Sequence, residues 1–539
     1  LKYAESVINS DMYRYEPALS PNIKSVRKLE WFDCIAAPCV HGCPTNQDIP
    51  DYLYYAGKGL YDEALEVILK KNPFPSVLGA VCTHFCQYKC TRINYDNPIL
   101  IRDIKRYIVE NATKEPLLTK SPDNGLKVAI IGAGPSGLSC AFFLILEGFK
   151  VDVYETKDSP GGMIADAIPT FRLQTNALKK DIDRISSLGV NFYWNYKITS
   201  NEFEKIQKEY DYIYIAVGAQ KNRKLNIEGE ELEGVIDPLE FLSAVKKGKN
   251  IKLGSKIAVI GGGNTAVDVA RTAKRLVGGK GEVTLLYRRT RLEMPAGYEE
   301  IKDLIEENII IKELVAPERI SGENGKVKQM VLSMMKIEGV DSQGRPKPVK
   351  IPNSEITLDF DAIIPALGQE VDINFIDISS LKPDFKTYRT AINNIFIGGD
   401  AMRGAATIVN AVADGRKVAE IIMLQARIEN KFKYFPLLKN RDISQHMLMR
   451  SRRIKGIQHN NRHNKLDFDI ILKSFNPNQV KEEASRCLFC DEFCNICVTV
   501  CPNRANYSYS VKPQQYQLQK LIRNTNGEMV AYEDTVFVV

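Results

Sequence analysis

The sequence predicts an α/β chain in which two Rossmann-like dinucleotide-binding units lie between an N-terminal helical, cysteine-rich domain and a small C-terminal, ferredoxin-like cysteine segment. Eleven of the twelve cysteines fall in two groups, at 34–90 and 487–501. Between them, a pattern of buried strand, glycine loop, apolar helix and second strand starts at Leu126 and is repeated from Lys256.

Residues 1 to about 122 read as helical, with Asp48 and Pro50 as cap and first turn of one helix and Leu65, Ile68 and Leu69 on the apolar face of the next. The first repeat then runs Val128-Ala-Ile-Ile131, Gly-Ala-Gly-Pro-Ser-Gly, helix, and Val151-Asp-Val-Tyr-Glu155. Gly132, Gly134 and Gly137 supply the tight turn, the close approach to a pyrophosphate and the close helix packing. Glu155 ends the second strand, where a carboxylate accepts hydrogen bonds from a ribose. Pro135 and Ser136 complete this loop. In the second repeat Gly261, Gly263 and Ala266 take the glycine positions, Asn264 and Thr265 open the helix, and the second strand ends Tyr287-Arg288-Arg289. Two guanidiniums there suit a 2′-phosphate, so NADP(H) is expected over NAD(H). Ile395-Phe-Ile-Gly-Gly-Asp400 follows, with a helix expected from Ala405 and an alternating, strand-like tail from Asn506.

Thiolates at two- to four-residue spacings can share one inorganic cluster, and cubane centres take four of them. The candidate ligands are Cys34, Cys39, Cys43, Cys82, Cys86 and Cys90, and Cys487, Cys490, Cys494, Cys497 and Cys501. The second group ends Cys501-Pro502, as ferredoxin runs do, which favours iron over a structural zinc. Disulfides are not expected, because no secretory leader is recognisable and the apolar stretch 128–149 is broken by glycines where a strand turns into a helix. A reducing cytoplasm and no membrane span follow as expectations. Cys140 reads as a small core residue, and His41 and His84 as packing groups. The net charge is +7, and residues 439–465, with eight Lys or Arg against Asp442 alone, carry an equal excess. The stretch lacks interleaved aromatics, so an acidic partner or solvent suits it better than nucleic acid.

Six features in order, Cys-x4-Cys-x3-Cys-Pro at 34–44, Cys-x3-Cys-x3-Cys at 82–90, GAGPSG, GGGNTA, YRRTRLEMPA and GGD at 398–400, resemble one oxidoreductase family. It includes the glutamate synthase small subunit, the N-terminal half of dihydropyrimidine dehydrogenase and NADPH-handling subunits of bifurcating transhydrogenases. The end beyond residue 480, with RCLFC and VCPNRANY, resembles selenate-reductase-type iron–sulfur subunits. The resemblance implies FAD in the first unit, with the NADP(H) unit inserted into the FAD domain. The implied boundaries are 1–122 (helical iron–sulfur), 123–251 and 371–430 (FAD), 252–370 (NAD(P)H), 431–480 (basic linker) and 481–539 (C-terminal iron–sulfur). By the family pattern Gly161, Gly162 and Met163 flank the flavin and Ala216, Gly218 and Ala219 lie near the FAD. Asp400 holds the ribityl chain, with Gly399 beside it counted among the cofactor positions, and Ala406 and Thr407 open a helix facing the flavin. Gly368 is also counted among the cofactor positions.

The relatives' first group reads Cys-x2-Cys-x4-Cys-x3-Cys-Pro, and here Trp31 stands where the first cysteine falls; Lys105 stands near a ligating glutamine. The family interleaving implies Cys34, Cys39 and Cys90 at one cluster and Cys43, Cys82 and Cys86 at another. For this domain, two clusters completed from elsewhere, one cluster with spare thiols, or none remain open; for the whole chain, with its C-terminal group, two or three [4Fe–4S] clusters are expected. Among the completions, Cys501 or Cys487 reaches across to the cluster opened by Trp31. The expected activity is electron transfer from NADPH, or to NADP⁺, through FAD and iron–sulfur centres to a redox partner such as a flavin, molybdenum or ferredoxin protein. A bifurcating NADPH–ferredoxin subunit and an assembly scaffold are the alternatives. Hydride transfer needs stacking more than an acid or base, so no catalytic side chain is named.

Overall fold

The computed structural model describes residues 37–342, 344–429, 456 and 466–491, and the backbone of 514–523 and 529–538. Cys34, Cys494, Cys497 and Cys501 and nearly all of the basic stretch lie outside the described residues.

The N-terminal domain is helical, and its amphipathic helices bury one face each around Tyr52, Leu53, Leu65, Ile68, Ile104 and Ile108. Asp48 precedes the first of them, but its carboxylate takes a bond from Lys71 Nζ at 2.7 Å instead of capping the helix.

Strand Lys127–Ile131 opens a five-stranded sheet in which all pairings are parallel. Spatially the order is Ile395–Ile397, Tyr212–Ile215, Lys127–Ile131, Lys150–Tyr154, Asn191–Tyr193. The chain thus leaves this sheet after residue 215 and returns some 180 residues later, at Ile395. The interval builds a second sheet, ordered Ala362–Pro365, Lys256–Ile260, Glu282–Tyr287, Ile310–Glu313, also parallel. An antiparallel three-stranded sheet, Val315–Glu323, Lys326–Val340 and Pro346–Asp359, is built into the same insert. The expected insertion of one dinucleotide unit in the other is therefore the observed topology. Parallel strands must be covered on both faces, which is why helices Pro135–Leu146 and Ile408–Gln425 are so apolar. These two helices touch at Gly415, where a Cβ would lie 2.0 Å from the Ser136 carbonyl oxygen.

The FAD-type domain and the helical domain share a core, with Phe74, Val77 and Leu78 packed among the residues around Leu138 and Phe142. Asp181, wholly buried, accepts from the backbone N–H of Ser76 at 3.2 Å and Val77 at 2.9 Å and from Arg184 at 3.1 Å, pinning the first turn of helix Pro75–Val81. Burial pushes its carboxyl up to about 6 against the pull of Arg184 and the two N–H groups.

The 431–480 linker needs a correction at its end. Residues 466–476 are not a solvated connector: Ile471 N–H bonds the Phe171 carbonyl, and Arg275 and Arg106 donate to the carbonyls of Asp467 and Leu472. The helix Pro477–Ser485, opened by an Asn476–Gln479 capping box, then docks on the N-terminal domain through Val480 and Ala484. In the tail, Gln514–Arg523 and Met529–Val538 pair antiparallel, in line with the alternating pattern.

Asp181→Ala leaves two buried N–H groups without an acceptor and should cost on the order of 3 kcal/mol. A urea midpoint unchanged from wild type would show that the pinning bond contributes nothing.

Candidate functional site

One cleft of about 340 Å³ runs between the two sheets and the helical domain. Its floor is the first glycine loop, where Gly132 adopts φ 111°, and a Cβ there would lie 2.5 Å from the Ala216 carbonyl oxygen. Only glycine fits, so the loop closes onto the end of strand Tyr212–Ile215. Gly132, Gly134, Pro135, Ser136, Glu155, Gly162, Met163, Ala216, Gly218 and Ala219 line this side, and Asp400, Ala406 and Thr407 arrive from the returning strand. Asn264 and Thr265 line the opposite side, and Cys82, Thr83 and His84 close one wall. Gly137, Gly161, Gly261, Gly263, Ala266, Gly368 and Gly399 are not among the residues that line it. Gly368 closes the ribbon with Lys221–Asn222, its carbonyl taking the Arg223 N–H at 3.0 Å.

Glu155 lies just past its strand and is mostly buried; one carboxylate oxygen accepts from Ala133 N–H and the other from Lys157 N–H. It therefore shapes the glycine loop while facing the cleft. Thr407 caps the helix Ile408–Gln425, its hydroxyl accepting from Asn410 N–H, so this helix starts three residues after Ala405, where the sequence predicts it. The Ala406 N–H is spent on Asp400 Oδ1 at 3.2 Å. Burial pushes the Asp400 carboxyl up to about 6, with Asp414 adding to the rise and the Ala406 N–H and Arg403 opposing it.

The sequence reading missed Asp414. It lies on an apolar helix, almost wholly buried, and accepts from Gly399 N–H at 3.1 Å, from Tyr388 OH at 2.7 Å and from Arg403 at 2.5 Å. It fixes the Gly-Gly-Asp turn. A lone acid amid Val409, Val412 and Val418 is the signal that could have found it.

The two arginines part company. Arg289 is buried, donating to the Pro346 carbonyl at 2.6 Å and to Asp341 at 2.9 Å, so it ties the strand end to the antiparallel sheet and is not available to a phosphate. Arg288 is exposed and remains the candidate for a 2′-phosphate.

His84 is buried as expected: its Nδ1 lies 3.1 Å from both Arg102 and the Cys82 carbonyl oxygen, and its Nε2 lies 3.7 Å from Glu299. Burial, then Arg102, lowers its pKa, so the ring stays neutral. Cys140 is fully buried in the core.

None of the eight cysteines among the described residues forms a disulfide. Cys43, Cys82 and Cys86 form one set, in which burial raises Cys82 and Cys86 while the Lys105 ammonium opposes the rise. Lys105 is buried beside these thiols, and Cys43 Sγ lies 3.2 Å from Thr45 Oγ1. A second set surrounds a small apolar cavity: Cys39, Cys90, Cys487 and Cys490. Burial and the Cys90, Cys487 and Cys490 thiols push Cys39 well above the usual thiol range. Among the described residues no three His, Cys, Asp or Glu side chains are grouped closely enough for a single metal ion. A buried set made wholly of thiols suits the wider reach of an iron–sulfur cluster.

Residues 126–415 match the pyridine nucleotide-disulphide oxidoreductase model, and residues 25–117 match dihydropyrimidine dehydrogenase domain II, 4Fe-4S cluster. The chain belongs to the pyridine nucleotide-disulphide oxidoreductase family. It is 31% identical over 462 residues to the glutamate synthase [NADPH] small chain of Escherichia coli, covering 77% of this chain and 97% of that one. It is 33% identical over 514 residues to the oxidoreductase YgfK of Escherichia coli, covering 93% of this chain and 47% of that one, so the chain spans about half the length of that relative. The fold is also that of FprA from Mycobacterium tuberculosis in complex with NADPH, at TM-score 0.50 and 20% identity over 57% of this chain and 85% of that one. The family carries the expected cofactor classes: FAD and NADP(H) for the two dinucleotide units and [4Fe–4S] for the helical domain. No helix among the described residues is long and apolar enough to cross a membrane.

Because the folded pKa of Asp400 lies above its unfolded value, ionising it opposes folding as pH rises from 3.8 to about 6. In FAD-free protein, Asp400→Asn should therefore gain stability over wild type across that interval and hold the gain above it. Urea midpoints at pH 4 and pH 7 would show no such divergence if the carboxyl is solvated. Asp414→Ala should loosen FAD by about tenfold, roughly 1.4 kcal/mol, read by flavin fluorescence on dilution.

Proposed function

We propose that this chain moves electrons between NADPH and a separate redox subunit, through FAD and then through [4Fe–4S] centres. The observation that carries this is the single cleft in which the first glycine loop, the Asn264–Thr265 helix start and Cys82 meet. When bound, FAD takes a hydride from NADPH and hands electrons on one at a time.

The residues position and shield. The N–H groups that open helices Pro135–Leu146 and Asn264–Val277 would hold the pyrophosphates of the two dinucleotides, by the anion preference of a helix start. Gly162 and Met163 cover the cleft, and Ala406 and Thr407 place the start of Ile408–Gln425 at its far wall, where its dipole favours negative charge. Arg172 holds the inserted unit against the first through Asp268 at 2.6 Å and Glu300 at 2.5 Å, which fixes the distance between the two nucleotide sites. From the cleft wall, where Cys82 stands, the route continues through the Cys43, Cys82 and Cys86 set to the set around Cys39, since the short segment around helix Phe85–Tyr88 carries Cys82 and Cys86 at one end and Cys90, at the second cavity, at the other.

The partner is a flavin, molybdenum or ferredoxin subunit, and nothing in the fold competes as an organic-substrate domain among the described residues. Support comes from the relative that is by name a small chain. Free thiols throughout the described residues fit work in a reducing cytoplasm.

Anaerobic addition of NADPH should bleach the flavin band of FAD-loaded protein, and absence of bleaching would sink the proposal. Arg288→Ala should raise the NADPH KM about 10- to 100-fold, as loss of a charge-assisted bond implies, with the NADH KM unchanged. Arg289→Ala should instead lower thermal stability.

A further inference from the structure

The C-terminal cysteines 487 and 490 lie outside the segment that matches the 4Fe–4S domain, which ends at residue 117. In the fold they do not stand apart from it. Cys39 and Cys90 from the N-terminal domain, and Cys487 and Cys490 from some 400 residues downstream, face one small apolar cavity.

The chain spends buried polar chemistry to hold them there. Glu483, wholly buried, accepts from Leu100 N–H at 3.0 Å and from Arg486 at 2.5 Å. Arg486, 2% exposed, also donates to Asp96 at 2.9 Å and to the Asn97 carbonyl at 2.6 Å. Removing a charge from water is costly without such partners, so this network holds residue 486 in one place, and Cys487 is the next residue. On the other side Phe489, 1% exposed, packs edge-on to Tyr54 with ring centroids 6.1 Å apart. Between these anchors Cys490 donates to Thr91 Oγ1 at 3.4 Å, next to Cys90.

We propose that Cys487 and Cys490 are iron ligands of the N-terminal domain, sharing one [4Fe–4S] cluster with Cys39 and Cys90. The two-residue spacing of Cys487 and Cys490 is the spacing lost from the first group, where Trp31 stands three residues before Cys34. A pair delivered from the far end of the chain takes the place of the local one. Four thiolates satisfy a cubane, so Cys34 is not needed at this centre.

The test is non-additivity in the full-length, FAD-loaded chain, read as iron per flavin and as the EPR signals of the dithionite-reduced protein. The variants are Cys39→Ala with Cys90→Ala, Cys487→Ala with Cys490→Ala, and all four together. A shared site predicts that each pair loses the same signal and about four irons, and that the fourfold variant loses no more. Losses that add to about eight irons place the pairs at separate clusters and overturn the proposal. Cys34→Ala should leave that signal in place, and its disappearance assigns the site to Cys34 instead. Should the alanine pairs fail to accumulate, Cys487→Ser and Cys90→Ser keep a small polar side chain. Both should then shift the g-values of one and the same signal, and shifts in two different signals reject the shared site. The proposal rests on the domain carrying iron: an iron-free wild type overturns both, whereas additive losses overturn the shared site alone and leave NADPH oxidation standing.

Discussion

Everything at the dinucleotide cleft depends on the parallel pairing of strand Ile395–Ile397 with Tyr212–Ile215. That pairing brings the chain back to its first sheet after building a whole second nucleotide unit, and it sets Gly399 and Asp400 beside a loop formed by residues 132–137. The geometry tolerates little slack. A Cβ at Gly399 would lie 2.9 Å from Ser136 Cβ, and one at Gly415 would meet the backbone of the same helix. Asp414 then locks the turn by hydrogen bonds from Gly399 and Arg403 at the turn and from Tyr388 before it. Side chains far apart in sequence become one wall because two parallel strands and two apolar helices leave them nowhere else to go.

The helical domain obeys the same logic with different chemistry. Its apolar core is completed by Phe475, Val480, Ala484 and Phe489 from near the C-terminus, so the domain does not end where its helices end. The strap at 466–476 crosses all three units on the way, held by backbone carbonyls that take bonds from Arg106 and Arg275. Arginine suits this task because its planar fork reaches carbonyls and carboxylates at once, as Arg275 does with Asp467 and Glu307. The strap thus ties the helical domain and the two dinucleotide units together through Arg106, Arg275 and the Phe171 carbonyl.

Much of this was legible in the linear sequence. The repeat of strand, glycine loop, helix and strand has a physical reason at each position, so both nucleotide units were readable in the sequence, whereas the insertion of one in the other was implied by the family resemblance. Arg288 and Arg289 were not separable by sequence, since both follow the end of strand Glu282–Tyr287 and carry the same charge. One meets solvent, and the other meets Asp341 from the antiparallel sheet, which carries no motif. Asp414 was hidden because the helix also carries Arg416, Lys417 and Glu420, among which one acid draws no notice, and its three partners are 11 to 26 residues away.

The sequence by itself determined the element types, the order of the units and the identity of the donor atoms, because strand and helix periods, glycine turns and thiol spacings are local properties. Tertiary structure alone decided which thiols share a cavity. Cys487 and Cys490 have a spacing that suits a local ferredoxin run, yet burial of Phe489 and pairing of Arg486 with Asp96 and Glu483 place them beside Cys39 and Cys90. Those forces act between residues about 400 positions apart, and no local pattern records them.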